Sequence, residues 1–341
     1  MKRCAPCGAS MLLFLGAIGC VRSSTAPEVV VYCALDREFS EPVLEDFAKR
    51  TGIRVLPKFD IESTKTVGLA QAIIAEESRP RCDVFWNNEI LNSLRLEERG
   101  LLEAYRSPAA ESFPQMSRSP RGTWHGFAAR ARVLLVNTNL VPEGDRPSSV
   151  YDMGDPKWKG KVGLAKPLFG TTATHAACLF AHLGEAKAKE FFRQLKGNGV
   201  QVLSGNKQVA LSVAAGKLAF GLTDTDDAII ECEKGEPVAI VYPDRREEQM
   251  GTLFIPNTLC IIRGCPHADS ARRLVDFLLS PEVEARLARA ASAQIPLNPA
   301  VQVELRVETP RTVKAMAVDF AAAAGQWQAA AKFLRDEFTV E

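Results

Sequence analysis

Apolar residues follow two alternating rhythms along this chain. "EVVVYCAL" is a β-rich apolar run suited to a strand buried on both faces. "EPVLEDFAKRTG" then predicts an amphipathic helix, with Val43, Leu44 and Phe47 on one face and Gly52 as its stop. "IRVLPKF" predicts the next strand, "TVGLAQAIIAEES" a helix, "CDVFWNN" a third strand and "EILNSLRLEERG" a third helix. This alternation implies a parallel sheet with right-handed crossovers and helices on both faces. In such sheets ligands bind beyond the C-terminal strand ends, which fall here at Cys33 to Arg37, Asp60 to Thr64 and Trp86 to Glu89.

The pattern changes at "GFAARARVLLVNTNLV", which reads as two strand-like pieces interrupted by Arg130 and Arg132. A turn-rich stretch, "SSVYDMGDPKWKGKVGLAKP", leads into a strand at Val162 to Ala165. A second alternating unit follows. Its helices are "FGTTATHAACLFAHLG", "AKAKEFFRQLKGNG" and "NKQVALSVAAGK", and its strands are "VQVLSG" and "LAFGLTD". "PVAIVYPD" and "GTLFIPNTLCIIRG" are later strands, and the tail from "HADSARRLVDFLLSPEVEARLARA" onward is expected to be mostly helical. Two α/β units with strands between them imply two lobes and a cleft, a common location for ligands.

Composition agrees with this division. The chain has 341 residues, of which 46% are hydrophobic, enough for roughly two domains. Its formal charge of +1 gives no basic excess of the kind that nucleic-acid binding needs. The first residues, "MKRCAPCGASMLLFLGAIGC", place Lys2 and Arg3 before an apolar run from Met11 to Ile18. That run is too short to span a bilayer and reads as an export signal. Its ending "AIGC" is similar to a bacterial lipoprotein box, with Cys20 as the lipidated residue. An ordinary secretory peptide cut near "SSTA" is the alternative. Residues 1–20 are then the signal and 21–27 a polar tether. The mature protein is expected outside the cytoplasm, periplasmic or extracytoplasmic, held to the membrane by its lipid alone. Cys4 and Cys7 belong to the signal, and the six later cysteines lack metal-site spacing. Most of those six are expected to be small buried apolar residues.

Several stretches, taken in order, carry a resemblance: "VVVYCALDREFSEPVLEDFAKRTGIRV", "CDVFWNNE", "DPKWKGKVGLAKP" and "HADSARRLVDFLLSPEVEARLA". Over nearly the whole mature chain the sequence resembles the extracellular solute-binding proteins of bacterial ABC importers, in the group of ferric-ion-binding periplasmic proteins. The resemblance implies a two-lobed α/β fold of the type 2 periplasmic-binding class, with crossover strands as its hinge. It also implies a monomer that closes on one solute and delivers it to a membrane permease and its ATPase. Lobe one is then expected at 28–129 with 251–300, and lobe two at 130–250 with 301–341. In ferric members the metal is held by a His after the first strand, a Glu after the "DVF" strand and two adjacent Tyr, with an anion at a helix N-terminus. Those positions fall here at Asp36, at Asn88 with Glu89 beside it, and at Asp226 and Asp227. Each ligand type is exchanged.

The anion half is expected at "GTTATH", where Gly170, Thr171, Thr172 and Thr174 open a helix. A helix N-terminus offers free N–H groups and partial positive charge, although Thr there also serves as an ordinary cap. "SGNK", Ser204 to Lys207 with Asn206, is a second donor set before a helix, and Arg130 is placed to reach a ligand or to form a structural ion pair. The cation half is the acidic stretch. Asp36, Glu89, Asp226 and Asp227 are the candidate metal ligands, with Asn88 and Asp224 as further oxygen donors. Such oxygens suit Ca²⁺, Mg²⁺, Mn²⁺ or Fe³⁺, and equally an ammonium group. At least one of the three aspartates is expected to cap the helix that follows. Trp86 is placed either to stack on a ligand or to pack in a core. His125 and His175 lack metal-spaced partners and are expected to be structural or surface residues.

Three classes of function are compatible with these features. The first is a solute receptor for a metal ion, ferric iron by resemblance, with an accompanying anion. A small organic anion or zwitterion, such as a phosphonate or phosphate ester, is the alternative solute. The second class, a hydrolase, finds no Gly-x-Ser-x-Gly elbow, His-Glu-x-x-His, P-loop or Cys–His signature, and no catalytic residue or resident cofactor is expected. The third is a sensory or structural lipoprotein that retains the fold without transport.

Overall fold

Strands and helices follow one another in the order the hydrophobic pattern predicts. The computed structural model describes Met1 and residues 26–60 and 67–338. The export signal, Cys20 and most of the tether lie outside the described residues, as do residues 61–66. In chain order the elements are β1 (Glu28–Cys33), α1 (Arg37–Thr51), β2 (Arg54–Phe59), α2 (Val67–Ala75), β3 (Val84–Asn87) and α3 (Leu91–Glu98). The long strand β4 (His125–Asn137) leads to β5 (Val162–Ala165), α4 (Gly170–Leu183), α5 (Glu185–Gly197), β6 (Gln201–Leu203), α6 (Asn206–Ala214), β7 (Phe220–Asp224) and α7 (Thr225–Glu233). Then come β8 (Val238–Val241), β9 (Phe254–Ile261), α8 (Ala268–Leu278), α9 (Pro281–Arg289) and α10 (Phe320–Phe333). Among the described residues no helix is long and apolar enough to cross a membrane.

The strands form one sheet in the order β2-β1-β3-β9-β4-β7-β5-β6, with β8 paired to β4. At one end β2, β1 and β3 are parallel, and at the other β6, β5 and β7 are parallel. Antiparallel β9 and β4 join the two units. Strand β4 pairs with β9 through His125 to Ala131 and with β7 through Arg132 to Val136. Its register shifts between Phe127 and Arg130, where Ala128 takes φ 43°, a left-handed value uncommon for a residue with a side chain. Pro57 sits in β2 at the sheet edge, where a missing N–H interrupts no interior ladder.

The helix α1 buries Val43, Leu44 and Phe47 as its periodicity predicts, and Gly52 ends it at φ 71° with its N–H on the Ala48 carbonyl. That is an αL cap, which glycine adopts without steric cost. Around β1 and β3 the core contains Val29, Val31, Phe47, Trp86 and Leu274. Around β5 and β7 a separate core contains Phe180, Phe192, Phe220 and Leu222. Helix α10 serves both sides, with Trp327 packed in the cluster of Phe85 and Phe333 against Phe180 at 6.0 Å. Gly221 in β7 lets α6 lie close, since a Cβ there would meet Val209 Cγ1 at 2.4 Å and the Gly163 carbonyl oxygen at 3.0 Å. The N-terminus of α6 is thereby held over the end of β7.

Two expectations about elements change. The segment around Arg130 and Arg132 is a single strand with a register shift before Arg130, buried at every position. Both guanidiniums are matched by carboxylates, which removes the reason for a strand to break there. The tail is helical only in part, because residues 290–319 are mostly irregular. Pro296, Pro299 and Pro310 fall in this stretch, and proline does not continue a helix interior. Its backbone is satisfied instead by bridges from Ile295 to Ala129 and from Ala315 to Thr252, and by the buried carboxylate of Glu284, which accepts from Leu297 and Asn298 N–H.

Candidate functional site

The ends of β1, β3, β5 and β7 and the starts of α4, α6 and α7 surround one cavity. Among its lining residues are Asp36, Asn88, Arg130, Gly170, Thr171 and Thr172, with Asn206, Asp224, Asp226 and Asp227. Asp36 and Asn88 come from the turns after β1 and β3, and the others from the second unit and from β4. The free space within it is about 20 Å³, little more than one water molecule needs. Residues predicted on both sides of a cleft are therefore brought together around a volume of ionic size.

Helices α4 and α6, like α7, begin at the cavity without a side-chain cap. The residue before α4 is Phe169 and that before α6 is Gly205, and neither supplies a capping hydrogen bond. Gly170 takes φ 56° as the chain enters α4, a turn that favours glycine. Ser204, Gly205 and Lys166 also line the cavity. Helix starts lacking caps carry the positive end of the macrodipole and orphan N–H donors, the elements of an anion site.

Behind these helix starts lies a polar network centred on Arg132, which is fully buried. The β4–β7 register puts Arg132 opposite Asp224, and Arg132 Nη1 donates to Asp224 Oδ1 at 2.7 Å. The same nitrogen donates to Asn206 Oδ1 at 3.0 Å and Thr171 Oγ1 at 3.2 Å, while Nη2 donates to Thr172 Oγ1 at 3.1 Å. Thr171 Oγ1 and Asn206 Nδ2 both donate to Asp224 Oδ2, at 2.5 and 3.0 Å. One arginine thus ties α4, α6 and β7 into a single wall. In a low-dielectric interior each such bond is strong, and each loss leaves a costly unpaired group.

Arg130 is the second buried guanidinium, with Nε 3.3 Å from Asp226 Oδ2. Its Nη2 donates to Asn257 Oδ1 at 3.1 Å. Burial pushes its pKa down, but Asp226, Asp224, Asp36 and Asp227 outweigh that and hold it above the ordinary arginine value. One carboxylate oxygen from each of Asp224, Asp226 and Asp227 lies within 4.8 Å of the others. Asp224 stands before α7 but makes no capping bond, whereas Asp226 Oδ1 accepts from Asp227 N–H at 3.1 Å. The capping bond expected of this trio is thus absent at the N-cap position itself. Asn88 is buried, and its Oδ1 accepts no hydrogen bond among the described residues.

Three predicted site residues lie away from the cavity lining. Trp86 is fully buried and packs on Phe127 with ring centroids 5.5 Å apart, so it is a core residue. Glu89 is turned into the start of α3. It accepts from Leu91 N–H at 2.5 Å, Asn92 N–H at 3.0 Å and Asn87 Nδ2 at 2.8 Å. Thr174 donates to Glu89 Oε2 at 2.9 Å. These bonds occupy the glutamate as a helix cap and the threonine as its partner. His125 and His175 are both buried: His125 Nε2 lies 2.8 Å from the Tyr105 carbonyl, and burial lowers the pKa of His175 to about 3.

Arg132 and Lys166 were not among the predicted site residues. The signal for Arg132 was present in the spacing, because residues two apart on a strand point to the same face. An Arg-x-Arg in β4 facing an Asp-x-Asp at the end of β7 is a pair of matched charges. Its recognition required the pairing of β4 with β7.

The family model described as bacterial extracellular solute-binding protein matches residues 92–324. The major ferric iron-binding protein of Neisseria meningitidis is 27% identical over 287 residues, which are 82% of this chain and 84% of that protein. Iron-bound HitA from Pseudomonas aeruginosa has a similar structure, with a TM-score of 0.82 at 23% identity over 91% of this chain and 99% of that one. AfuA from Actinobacillus pleuropneumoniae, solved with fructose-6-phosphate bound, also has a TM-score of 0.82, at 24% identity over 93% and 100% of the two chains. The fold is the two-lobed one of periplasmic binding proteins.

Proposed function

The chain belongs to the bacterial extracellular solute-binding protein family, and on that premise we propose that it is the solute receptor of an ABC importer. Its solute is a hard metal ion bound together with an anion. Ferric iron, the ion in the name of the Neisseria protein, is the reference cargo, and the Pseudomonas structure is iron-bound. The observation that carries this reading is the convergence of Asp224, Asp226 and Asp227 on a cavity of about 20 Å³. Asp36 and Asn88 complete an oxygen-only set from the other wall, and hard cations prefer such donors. The starts of α4 and α6 would hold the anion.

In this reading residues 28–129 with 251–300 form one lobe and 130–250 with 301–341 the other, with α10 lying against both. The lobes close on the solute, which then passes to a permease and its ATPase. The protein works as a monomer outside the cytoplasm, anchored through a lipid on Cys20, and binds without catalysing a reaction.

Thermal melting with Fe³⁺, Mn²⁺, Ca²⁺, phosphate and aminophosphonates tests the solute. A ligand at a hundred times its Kd stabilises by about 2.7 kcal/mol. The metal reading expects a large rise in Tm with a metal, enlarged by an anion. A rise with an aminophosphonate and none with any metal sinks it. A second reading rests on Lys166 and the two uncapped helix starts, which line the same cavity as the acidic trio. A zwitterion could place its acid group on the former and its amine on the latter.

A further inference from the structure

The two α/β units meet beside the cavity as well as across it. Helix α4, which follows β5 in the second unit, is shared by two cores. Its Leu179 and Phe180 share one core with Phe220 of β7. Its Ala173, Ala177 and Cys178 share the other with Phe85 of β3 and Leu91 of α3, in the first unit. A hydrogen bond crosses the same joint. Thr174 Oγ1 donates to Glu89 Oε2 at 2.9 Å, and both residues are fully buried. Within the first unit the Glu89 carboxylate also accepts from Asn87 Nδ2 and from the N–H groups of Leu91 and Asn92. Its main-chain carbonyl accepts from Thr258 Oγ1 at 2.9 Å. Both ends of the crossing bond lead into the cavity: Asn88 precedes Glu89, Thr172 lies two residues before Thr174, and both line it.

We infer that Glu89 is a positioning residue that pins α4 through Thr174 and makes this joint the fulcrum on which the two units turn. The inference rests on the reading of the units as lobes that close on a solute, and it adds the place about which they rotate. The physical basis is the contrast between the two sides of the bond. Separating the units at the joint would expose the shared apolar core to water and break a fully buried hydrogen bond, both unfavourable. Separating them at the cavity exposes Asp36, Asn88 and the starts of α4 and α6, polar groups that water solvates. Opening is therefore a rotation that keeps the joint and parts the rim, where Lys207 of α6 meets Glu38 of α1 at 3.2 Å. Asn88 and Thr172 stand close to the pin in the chain, so the pin also holds the two walls in register across the cavity. Slack there loosens the contacts with a solute, because bound geometry depends on the groups that support it.

Thr174→Val removes the hydroxyl and keeps the side-chain shape, whereas Thr174→Ser keeps the hydroxyl. Two measurements on the full mature chain read the pin. The first needs no solute. Nitroxide labels introduced through unnatural amino acids at Glu45 of α1 and Gln208 of α6, both exposed, give the distribution of distances across the rim by electron–electron double resonance. Thr174→Val is expected to widen that distribution about twofold, and Thr174→Ser to match the wild type. The second is the dissociation rate of Fe³⁺ supplied with citrate. It is expected to rise about fivefold in Thr174→Val, as for the loss of one hydrogen bond, and to keep its wild-type value in Thr174→Ser. Thr174→Ala also lacks the hydroxyl and takes the place of Thr174→Val if the latter does not fold. A bond of structural value alone would lower the denaturation midpoint and move neither readout. Unchanged width and rate in a folded variant without the hydroxyl, or a serine variant that behaves as the valine one, overturn the role of the pin and leave the solute reading standing. A wild-type protein that takes up no Fe³⁺ overturns the ferric reading instead, and the distance distribution then decides the fulcrum by itself.

Discussion

One wall of the cleft is built from α4, α6 and α7 with β4 behind them, and the other from the turns after β1 and β3. The first presents two uncapped helix starts, three aspartates and two buried arginines. The second contributes Asp36 and Asn88, the latter with an oxygen that no described residue satisfies. The first wall is internally bonded, with Asp224, Thr171, Thr172 and Asn206 all held by Arg132. On the second wall Glu89, next to Asn88 in the chain, is committed to the start of α3. This difference implies a division of roles. In the proposed reading the bonded wall, already preorganised, sets what is bound, because rigid donors lose little on binding. In the proposed reading the other wall would complete the coordination as the lobes close on the solute.

The most damaging way to break this asymmetry is to remove the centre of the bonded wall. Arg132→Met leaves Asp224 buried without its charge partner and is expected to cost about 3–5 kcal/mol, read by chemical denaturation. Adding Asp224→Asn should recover much of that loss. Next comes the acidic edge of the same wall. Asp226→Ala with Asp227→Ala is expected to weaken metal binding at least about a hundredfold, near 3 kcal/mol. Unchanged affinity in calorimetry would reduce the pair to capping.

The bonded wall is also open to attack by acid from behind. His175 sits in α4 with its folded pKa near 3, lowered from 6.5 first by burial and then by Arg132. A histidine kept neutral by the fold contributes stability that is complete above its unfolded pKa and is lost as pH falls below it. The expected slope is about 1.4 kcal/mol per pH unit below 6.5, and His175→Leu should flatten it in melts taken down to about pH 5.

On the other wall a smaller effect is expected. Asn88→Ala removes one neutral oxygen donor and should weaken binding about tenfold, near 1.4 kcal/mol, with Tm in the absence of solute nearly unchanged. A loss comparable to that of the aspartate pair would make the two walls equal partners. The smallest effect concerns the exposed bridge between them, Lys207 Nζ to Glu38 Oε1 at 3.2 Å. Lys207→Ala should change stability by less than about 1 kcal/mol, because such pairs are screened by solvent.

Local pattern was sufficient to locate much of this architecture. The apolar runs of β1, β3, β5 and β7 and the amphipathic face of α1 follow from side-chain periodicity, a property of neighbouring residues. The same holds for the helix starts at Gly170 and Asn206 and for the acidic trio, whose residues lie side by side in the chain. The roles of Trp86, Glu89 and Thr174 were not legible in this way. Each stands within two positions of a lining residue in sequence, yet its side chain is sent into a core or a cap. Sequence alone therefore determined two α/β units, the strand ends where a solute belongs, and the presence of carboxylates and helix starts there. Tertiary structure alone decided the charge those carboxylates retain. That quantity depends on Arg132 lying opposite Asp224 across the β4–β7 pair, some 90 positions away in the chain, and on Arg130 lying beside Asp226 of α7, and electrostatic energy is a function of distance in space.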